Sequence, residues 1–526
     1  MVKLLDCTLR DGGYYTNWNY SDRTIKEYFR YLNKLPIDYA EIGYRSLRSD
    51  EYLGELFYTP LYILQTAHEL MPDVRKAIML DEKDTAPQDL DVLLDPCRGM
   101  VHMVRIAVSP ERLGQGMQLA RIARDKGFEV AINLMHASRW RNDAALPDRI
   151  RREAESIDYL YIVDSYGALY PPDVQWLVQA LKPGLPVPLG FHGHNNLELA
   201  LSNSLTAIEC GCDIIDTTIT GMGRGAGNLK TELALIVLKE KYGFDLDFDS
   251  LSSLTGVFES LQRKYEWGTN IAYMLSGAYS IPQKEIMAQM NKHRHFIGNI
   301  IGEWKSYAHN GNGRHETADT WPLLRQQSRA DMVIVTGGGA SAADQVEALH
   351  RFVGIQSAQG RRISLVHSST RFAELFTPLP GVDQYYCLVG KEGKRLESFA
   401  TSTDIIRDNR FIVPSRNKVK GIYLPNTGRA DVLQCTETHF APGLDDSPLA
   451  LGIQAALDLG AATTYLFGFD GYLVQNDNAH LDLFNENQQI LNKAATAGIP
   501  LVSLTPTRYE GLRQLSIFHL ITKYSA

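Results

Sequence analysis

Between residues 2 and 242 short apolar runs alternate with longer amphipathic stretches, and this rhythm constrains the fold more than any other feature of the chain. The apolar runs lie at Val2–Thr8, Tyr39–Gly43, Lys76–Leu80, Met103–Val108, Glu129–Leu134, Tyr159–Val163, Val187–Phe191 and Cys212–Thr218. The stretches between them are Asp22–Leu35, Leu53–Leu70, Pro110–Lys126, Leu146–Ser156, Pro172–Leu181, Glu198–Cys210 and Leu229–Tyr242, and they carry helical spacing. A strand followed by a crossover helix pairs in parallel with another strand, so eight such strands predict a closed (β/α)8 TIM barrel. An open doubly wound sheet is the competing arrangement. It calls for a glycine-rich phosphate loop after the first strand, and Arg10-Asp11-Gly12-Gly13 is not one.

A barrel of this kind gathers its chemistry at the C-terminal ends of the strands. Polar residues converge there: Arg10 and Asp11, then Glu41, Tyr44 and Arg45, then Arg105, Asn133 and His136. Asp164 and Ser165, His192 and His194, and Thr217 and Thr218 follow, ahead of the loop Gly221–Asn228. Side chains two apart on a strand point the same way, so His192 and His194 can share one divalent cation. The plain alternative is a pair of barrel-end histidines hydrogen-bonded to neighbours. With Asp11 they offer one carboxylate and two imidazoles, a mixed set that suits Mn²⁺, Mg²⁺ or Zn²⁺. Arg10 serves as charge partner for an enolate oxygen or a substrate carboxylate, or as an ion-pair partner of Glu41, and the roles are compatible. The Gly221–Gly227 loop reads either as a phosphate cradle or as a tight turn bringing Asn228 toward the metal. Lacking the Lys-Ser/Thr ending of a nucleotide loop, it favours the turn.

Composition sets the outer bounds. A chain of 526 residues with 44% hydrophobic and 22% charged residues reads as two to four soluble globular domains. No apolar run approaches the roughly 18 residues that span a bilayer, and Met1–Asp6 reads as the start of a strand, so no signal peptide is expected. A net charge of −8 without a long basic run argues against nucleic acid. The six cysteines are scattered, and Cys210 and Cys212 read as buried thiols rather than zinc ligands. A reducing, cytoplasmic setting fits, and a homo-oligomer is expected.

Past the barrel, here residues 1–283, the pattern loosens over 284–329 into a helical connection with polar, histidine-bearing runs at 292–295 and 309–315. A second α/β domain, 330–526, opens with Met332–Thr336 and a glycine-rich turn, Gly337–Ser341, before a helix at Ala343–Val353. Strands are expected at Ile363–His367, Gln384–Leu388, Gly421–Leu424, Thr464–Gly468 and Leu501–Leu504, with an apolar helix at Ser447–Gly460. This is a Rossmann-like pattern with an incomplete nucleotide fingerprint. It faintly resembles sialyltransferase-like domains, and Asp470 and the Gly337–Ser341 turn are the places for a nucleotide or sugar. A purely structural or oligomerising domain is the alternative.

Three motifs in order carry a more specific resemblance: Asp6–Gly12, Gly190–Asn196 and Gly221–Asn228. Together they resemble the DRE-TIM metallolyases, the HMGL-like family, over roughly residues 1–280. Tyr161–Ala168 and Ser202–Asp216 are most similar to the 4-hydroxy-2-oxovalerate aldolase branch. The resemblance implies Asp11, His192 and His194 as metal ligands, Asn228 as a further ligand or its neighbour, Arg10 as the enolate-stabilising arginine and Ser165 as a substrate contact. Glu41 and His136 join the expected substrate-binding set. It also implies a divalent metal, Mn²⁺ first, and a keto acid and an aldehyde as substrates.

The chain departs from its relatives at the proton-transfer group. The aldolase branch carries a histidine where this chain has Tyr14, the acyl-CoA synthases a glutamate where it has Gly13, and the CoA-ester lyases a cysteine in the loop Gly221–Asn228. Tyr14 is therefore the expected acid/base, with Tyr15, Tyr44, His136, Tyr273 and Tyr279 as further candidates. The expected activity is a metal-dependent aldolase acting through a pyruvate-type enolate, extended to surface-sugar synthesis if the second domain handles nucleotide sugars. A Claisen-type acyl-CoA lyase or synthase is disfavoured by Gly13 and the cysteine-free loop. A barrel that binds without turnover is the remaining alternative.

Overall fold

The computed structural model describes residues 2–47, 52–284, 286–287, 321–327, 329–377, 379–400, 410–415, 422–425, 431–472 and 478–525. The chain divides into two compact units, Met1–Met287 and Ala288–Ala526.

In the first unit the strands are β1 (Lys3–Asp6), β2 (Tyr39–Tyr44), β3 (Arg75–Asp81), β4 (Met103–Val108), β5 (Glu129–Leu134), β6 (Tyr159–Asp164), β7 (Leu189–Gly193) and β8 (Ile214–Thr217). All pair in parallel, and β8 closes onto β1, with Leu5 opposite Asp216. The expected barrel is present. Its foot is filled by inward residues such as Leu5, Tyr39, Ala77, Met103, Ala131, Tyr159 and Ile214. The next inward positions toward the mouth, Glu41, Arg105, Asn133, His192 and Asp216, are polar and equally buried. A period of two along each strand produces this stacking of layers.

Local chemistry moves some boundaries. Strand β1 stops at Asp6 because its carboxylate accepts from Thr8 N at 2.9 Å, and Thr8–Asp11 turns into a short helix. Tyr28 and Thr231 anchor the same carboxylate at 2.6 and 2.7 Å, fixing the turn that carries Arg10 and Asp11. The expected helix Leu53–Leu70 splits into Glu55–Tyr58 and Leu61–Leu70. Thr59 there is left-handed, at φ 42°, and Pro60 has no N–H to continue a ladder. The sequence reading passed over the helices Phe248–Tyr265 and Ile271–Ala278.

The second unit is one parallel sheet of β9 (Met332–Thr336), β10 (Ile363–His367), β11 (Val382–Cys387), β12 (Arg410–Val413), β13 (Asp431–Gln434), β14 (Thr464–Phe467), β15 (Leu501–Ser503) and β16 (Arg513–Gln514). Their order is β13-β12-β11-β10-β9-β14-β15-β16, which is doubly wound with its switch point between β9 and β14. Alternate residues of β9 enter different apolar clusters, Val333 and Val335 in one, Met332 and Ile334 in the other. A sheet buried on both faces requires this. One expected strand is absent: the described residues 422–424 are not a strand, and β12 and β13 take the sheet positions on either side of that segment. Pro425 follows at once, while Ile422 packs against a small apolar cluster. The polar runs at 292–295 and 309–315 lie outside the described residues. All six cysteines are free thiols, five buried and Cys210 half-buried. Among the described residues no helix is long and apolar enough to cross a membrane.

Candidate metal centre

The turn after β1 and the end of β7 bring three ligand groups together. One atom from each of Asp11, His192 and His194 lies within 4.8 Å of the others, and all three side chains are buried. His192 is inside β7, and His194 lies just beyond it, held by an antiparallel bridge to Asn228. The two rings stand nearly perpendicular, 84° apart, with centroids separated by 5.0 Å.

Hydrogen bonds set the tautomers. His192 Nδ1 donates to Asp216 Oδ2 at 2.8 Å, and His194 Nδ1 donates to the backbone carbonyl of Asp164 at 2.7 Å. Both acceptors lack a proton to give, so each ring keeps its hydrogen on Nδ1 and a lone pair on Nε2. His192 Nε2 lies 3.7 Å from Asp11 Oδ2. Burial, then the neighbouring His192, pushes His194 down to about 3, so this imidazole is neutral and ready to ligate. Burial opposes ionisation of Asp11, but Arg10 and then the two imidazoles hold its carboxyl well below the usual carboxylate range.

A divalent cation fits these residues on two counts. Asn228 donates through Nδ2 to Asp11 Oδ2, while its buried Oδ1 has no hydrogen-bond partner among the described residues. An orphaned carbonyl oxygen at that depth is costly, and a cation beside Asp11 would satisfy it. Charge points the same way. Arg10 bonds Asp11 at 2.5 Å and Glu41 at 2.7 Å, and Arg105 reaches Glu41 at 3.2 Å and Asp216 at 2.5 Å. Three carboxylates thus share two guanidiniums, leaving one buried negative charge to be answered. A second cluster, Cys7 with His192 and Asp216, is a poor ligand set. Burial and Asp216 push the Cys7 thiol up, and it donates to the Thr217 carbonyl at 3.5 Å.

The other residues named from the sequence lie at several places in the barrel unit. Glu41 lies fully buried between the two arginines. Arg10 uses Nε and Nη1 on carboxylates, leaving Nη2 with no hydrogen-bond partner among the described residues. The Tyr14 hydroxyl pairs with that of Tyr44 at 2.9 Å, and the Arg224 guanidinium lies over its ring at 3.8 Å. Burial and Tyr14 push Tyr44 well up, and burial raises Tyr15 and Tyr273, so these three keep their protons. Tyr15 donates to Gly225 O at 2.8 Å and sits 3.4 Å from Tyr273. Ser165 Oγ accepts the His136 amide at 2.9 Å, and the His136 ring stacks on Tyr166, one strand away from the metal ligands. Tyr279 caps the helix Ile271–Ala278. A side chain at Gly13 would overlap the Trp18 ring, which donates to Arg10 O at 2.8 Å, so there is no room for a glutamate side chain there.

The Gly221–Asn228 loop is a turn. Its Gly221, Met222, Gly227 and Asn228 amides bond to Thr218, Ile219, Arg224 and Gly221 carbonyls. Gly227 has φ 80°, and a Cβ there would overlap Gly221 O. Sequence reasoning passed over Asp216 and Arg224. A charged residue in mid-strand at Asp216 was the available signal for the first; nothing local marked the second.

A closed (β/α)8 barrel with a carboxylate–imidazole cluster at its mouth defines a TIM-barrel enzyme of the metallolyase kind. Residues 1–257 match the family described as HMGL-like. An oxaloacetate decarboxylase from Mycobacterium tuberculosis is 30% identical over 256 residues, 48% of this chain and 75% of that protein. A 4-hydroxy-2-oxovalerate aldolase from Carboxydothermus hydrogenoformans is 33% identical over 260 residues, 47% of this chain and 73% of that protein. The solved structure of "the N-terminal domain of a putative aldolase" from Bacteroides vulgatus is 46% identical, with a TM-score of 0.54, covering 55% of this chain and 97% of that one. This chain belongs to the HMGL-like family, within the DRE-TIM superfamily, and is a metal-dependent lyase.

Proposed function

We propose that the barrel is an aldolase that forms or cleaves a carbon–carbon bond through a pyruvate-type enolate, with a 4-hydroxy-2-oxoacid as the joined species. The observation that carries this reading is the trio Asp11, His192 and His194 with both Nε2 lone pairs free. The names of the relatives, an aldolase and an oxaloacetate decarboxylase, support it, because both reactions pass through the same kind of enolate.

Asp11, His192, His194 and Asn228 Oδ1 would hold the cation, with Mn²⁺ our first assignment for such nitrogen and oxygen donors. When bound, it supplies Lewis acidity toward the keto acid's oxygens, an effect of several kcal/mol. Arg10, locked by Glu41 and Asp11, keeps Nη2 for the charge that develops as the substrate enolises. Enolisation gives up one methyl proton to solvent, the enolate carbon then bonds to the aldehyde carbonyl carbon as its C=O π bond breaks, and the new alkoxide takes one proton. Tyr14 Oη supplies it and is reprotonated from solvent: Tyr44 fixes the hydroxyl, and the Arg224 guanidinium lies over the ring. Ser165 and His136 form the wall beside β6. The surface-sugar extension gains no support from the second unit, whose glycine turn is filled by its own groups.

The test is pyruvate methyl-proton exchange in D2O and decarboxylation of oxaloacetate by the full chain loaded with Mn²⁺. Both should appear, vanish with chelator and return with metal. A chain that takes up Mn²⁺ yet shows neither is not an enolate-forming enzyme.

A further inference from the structure

Arg224 is a cation at the barrel mouth with no carboxylate paired to it among the described residues. The loop that delivers Asn228 to Asp11 also lays the Arg224 guanidinium on Tyr14. Its side chain is partly buried, and among the described residues no carboxylate pairs with it and no hydrogen bond holds its guanidinium. Arg10 and Arg105 are different, since each is tied to two carboxylates. Arg224 lies close enough to Asp11, Arg10 and His194 for its charge to act on theirs. Removing a guanidinium from water without pairing it is costly, so the arrangement asks for an anion.

Charge and position indicate where that anion lies. Asp11, Glu41 and Asp216 carry one negative charge more than Arg10 and Arg105 answer, and a divalent cation more than offsets it, so this cluster asks nothing of Arg224. Asp81 at the same rim is answered by Lys83 at 3.1 Å. Asp164, buried beside the histidines, spends its carboxylate on the Ala168 and Leu169 amides. A simple 2-oxoacid brings one negative charge and uses it at the metal end. Arg224 lies over the ring of Tyr14, the residue to which we assign proton transfer to the aldehyde oxygen.

We propose that Arg224 receives a second anionic group, a carboxylate or a phosphate, on the aldehyde half of the substrate. The guanidinium fork suits either anion. The inference rests on the keto-acid reading, which seats the first carboxylate at the metal trio.

The experiment is calorimetric titration of the Mn²⁺-loaded full chain with 2-oxobutyrate, 2-oxoglutarate and 2-oxo-4-phosphonobutyrate. These share a metal-seeking head and differ in an apolar, carboxylate or phosphonate tail. One of the anionic tails should tighten binding about 10-fold or more, and which one names the source. R224M should bring the three ligands to within about 3-fold of one another, and R224K should keep part of the preference. As a second readout, pyruvate addition to succinic semialdehyde or glyceraldehyde 3-phosphate should exceed addition to butyraldehyde or glyceraldehyde by on the order of 10²-fold in kcat/KM, and R224M should collapse that ratio. If 2-oxobutyrate itself fails to bind, the keto-acid reading falls and this inference with it. If it binds and neither anionic tail matters, or if the preference survives R224M, Arg224 is no receptor and the keto-acid reading stands.

Discussion

His192 and His194 at the end of β7 each commit Nδ1 to a protein oxygen and keep Nε2 free; His367, at the end of β10 in the second unit, commits both nitrogens. It meets Thr336 Oγ1 at 3.0 Å and Gln384 Oε1 at 2.8 Å, and its ring stacks on Tyr386. All three rings are at or just past the C-terminal ends of parallel strands, where both folds place ligands. The turns that follow differ in the same sense. At the barrel mouth Asn228 Oδ1 is left over. In the second unit Gly337 and Gly339 amides bond to Phe467 and Gly468 carbonyls at 2.7 and 2.8 Å, and Asp470 accepts from Ser341 N at 2.9 Å and from its hydroxyl. The glycines at Gly337 and Gly339 are there because a Cβ would press on Gly468 O. Topology nominates both places, but among these described groups it is those at the barrel mouth, Asn228 Oδ1 and the two Nε2 atoms, that stay unspent, and these are what a ligand needs.

Several substitutions would break or sharpen this contrast. Asp11→Asn removes the only carboxylate of the trio and should lower pyruvate exchange at least about 10³-fold, the several kcal/mol expected of Lewis-acid catalysis. An NMR exchange assay at saturating Mn²⁺ measures it, and survival of exchange would remove the centre. Asp216→Ala takes away the His192 Nδ1 acceptor and half of the Arg105 pairing. It should destabilise the chain by about 3 kcal/mol or more and weaken Mn²⁺ binding by roughly 10- to 100-fold. Denaturant melts and metal titration report the two effects separately.

The second unit should respond to acid through its spent histidine. Burial pushes His367 down to about 4, below its value of 6.5 when exposed, so the unfolded chain binds the extra proton. Stability is then full above pH 6.5 and falls as pH drops toward 4, by up to roughly 3 kcal/mol. His367→Gln should flatten that slope in urea melts across the window, and an unchanged slope would contradict the assignment.

Smaller effects come next. Tyr14→Phe should cost on the order of 10²-fold in kcat for aldol cleavage, about 2.7 kcal/mol, if Tyr14 Oη relays the proton. Asp470→Ala uncaps Ser341 and should lower the denaturation midpoint by the equivalent of about 1 kcal/mol while pyruvate exchange by the barrel is untouched. A loss of exchange would show that the two units' functions are coupled.

The alternation of apolar strands and amphipathic helices determined both architectures, because the period of side-chain burial is a property of the local chain. Asp11, His192 and His194 were legible for a similar reason: each follows or ends a strand, and i, i+2 spacing puts two imidazoles on one side. What lies across strands was not legible. Arg105 finds Asp216, 111 residues away, and Tyr14 finds Tyr44, 30 residues away, because register sets the height at which inward side chains meet. The boundaries at Asp6 and Pro60 and the missing strand at 422–424 likewise depended on partners elsewhere or on a single proline. Most of all, only the tertiary structure decided which polar groups are consumed and which are left over. Periodicity tells a residue which face it occupies; whether its hydrogen bonds are already satisfied there depends on neighbours that the chain brings in from far along its length.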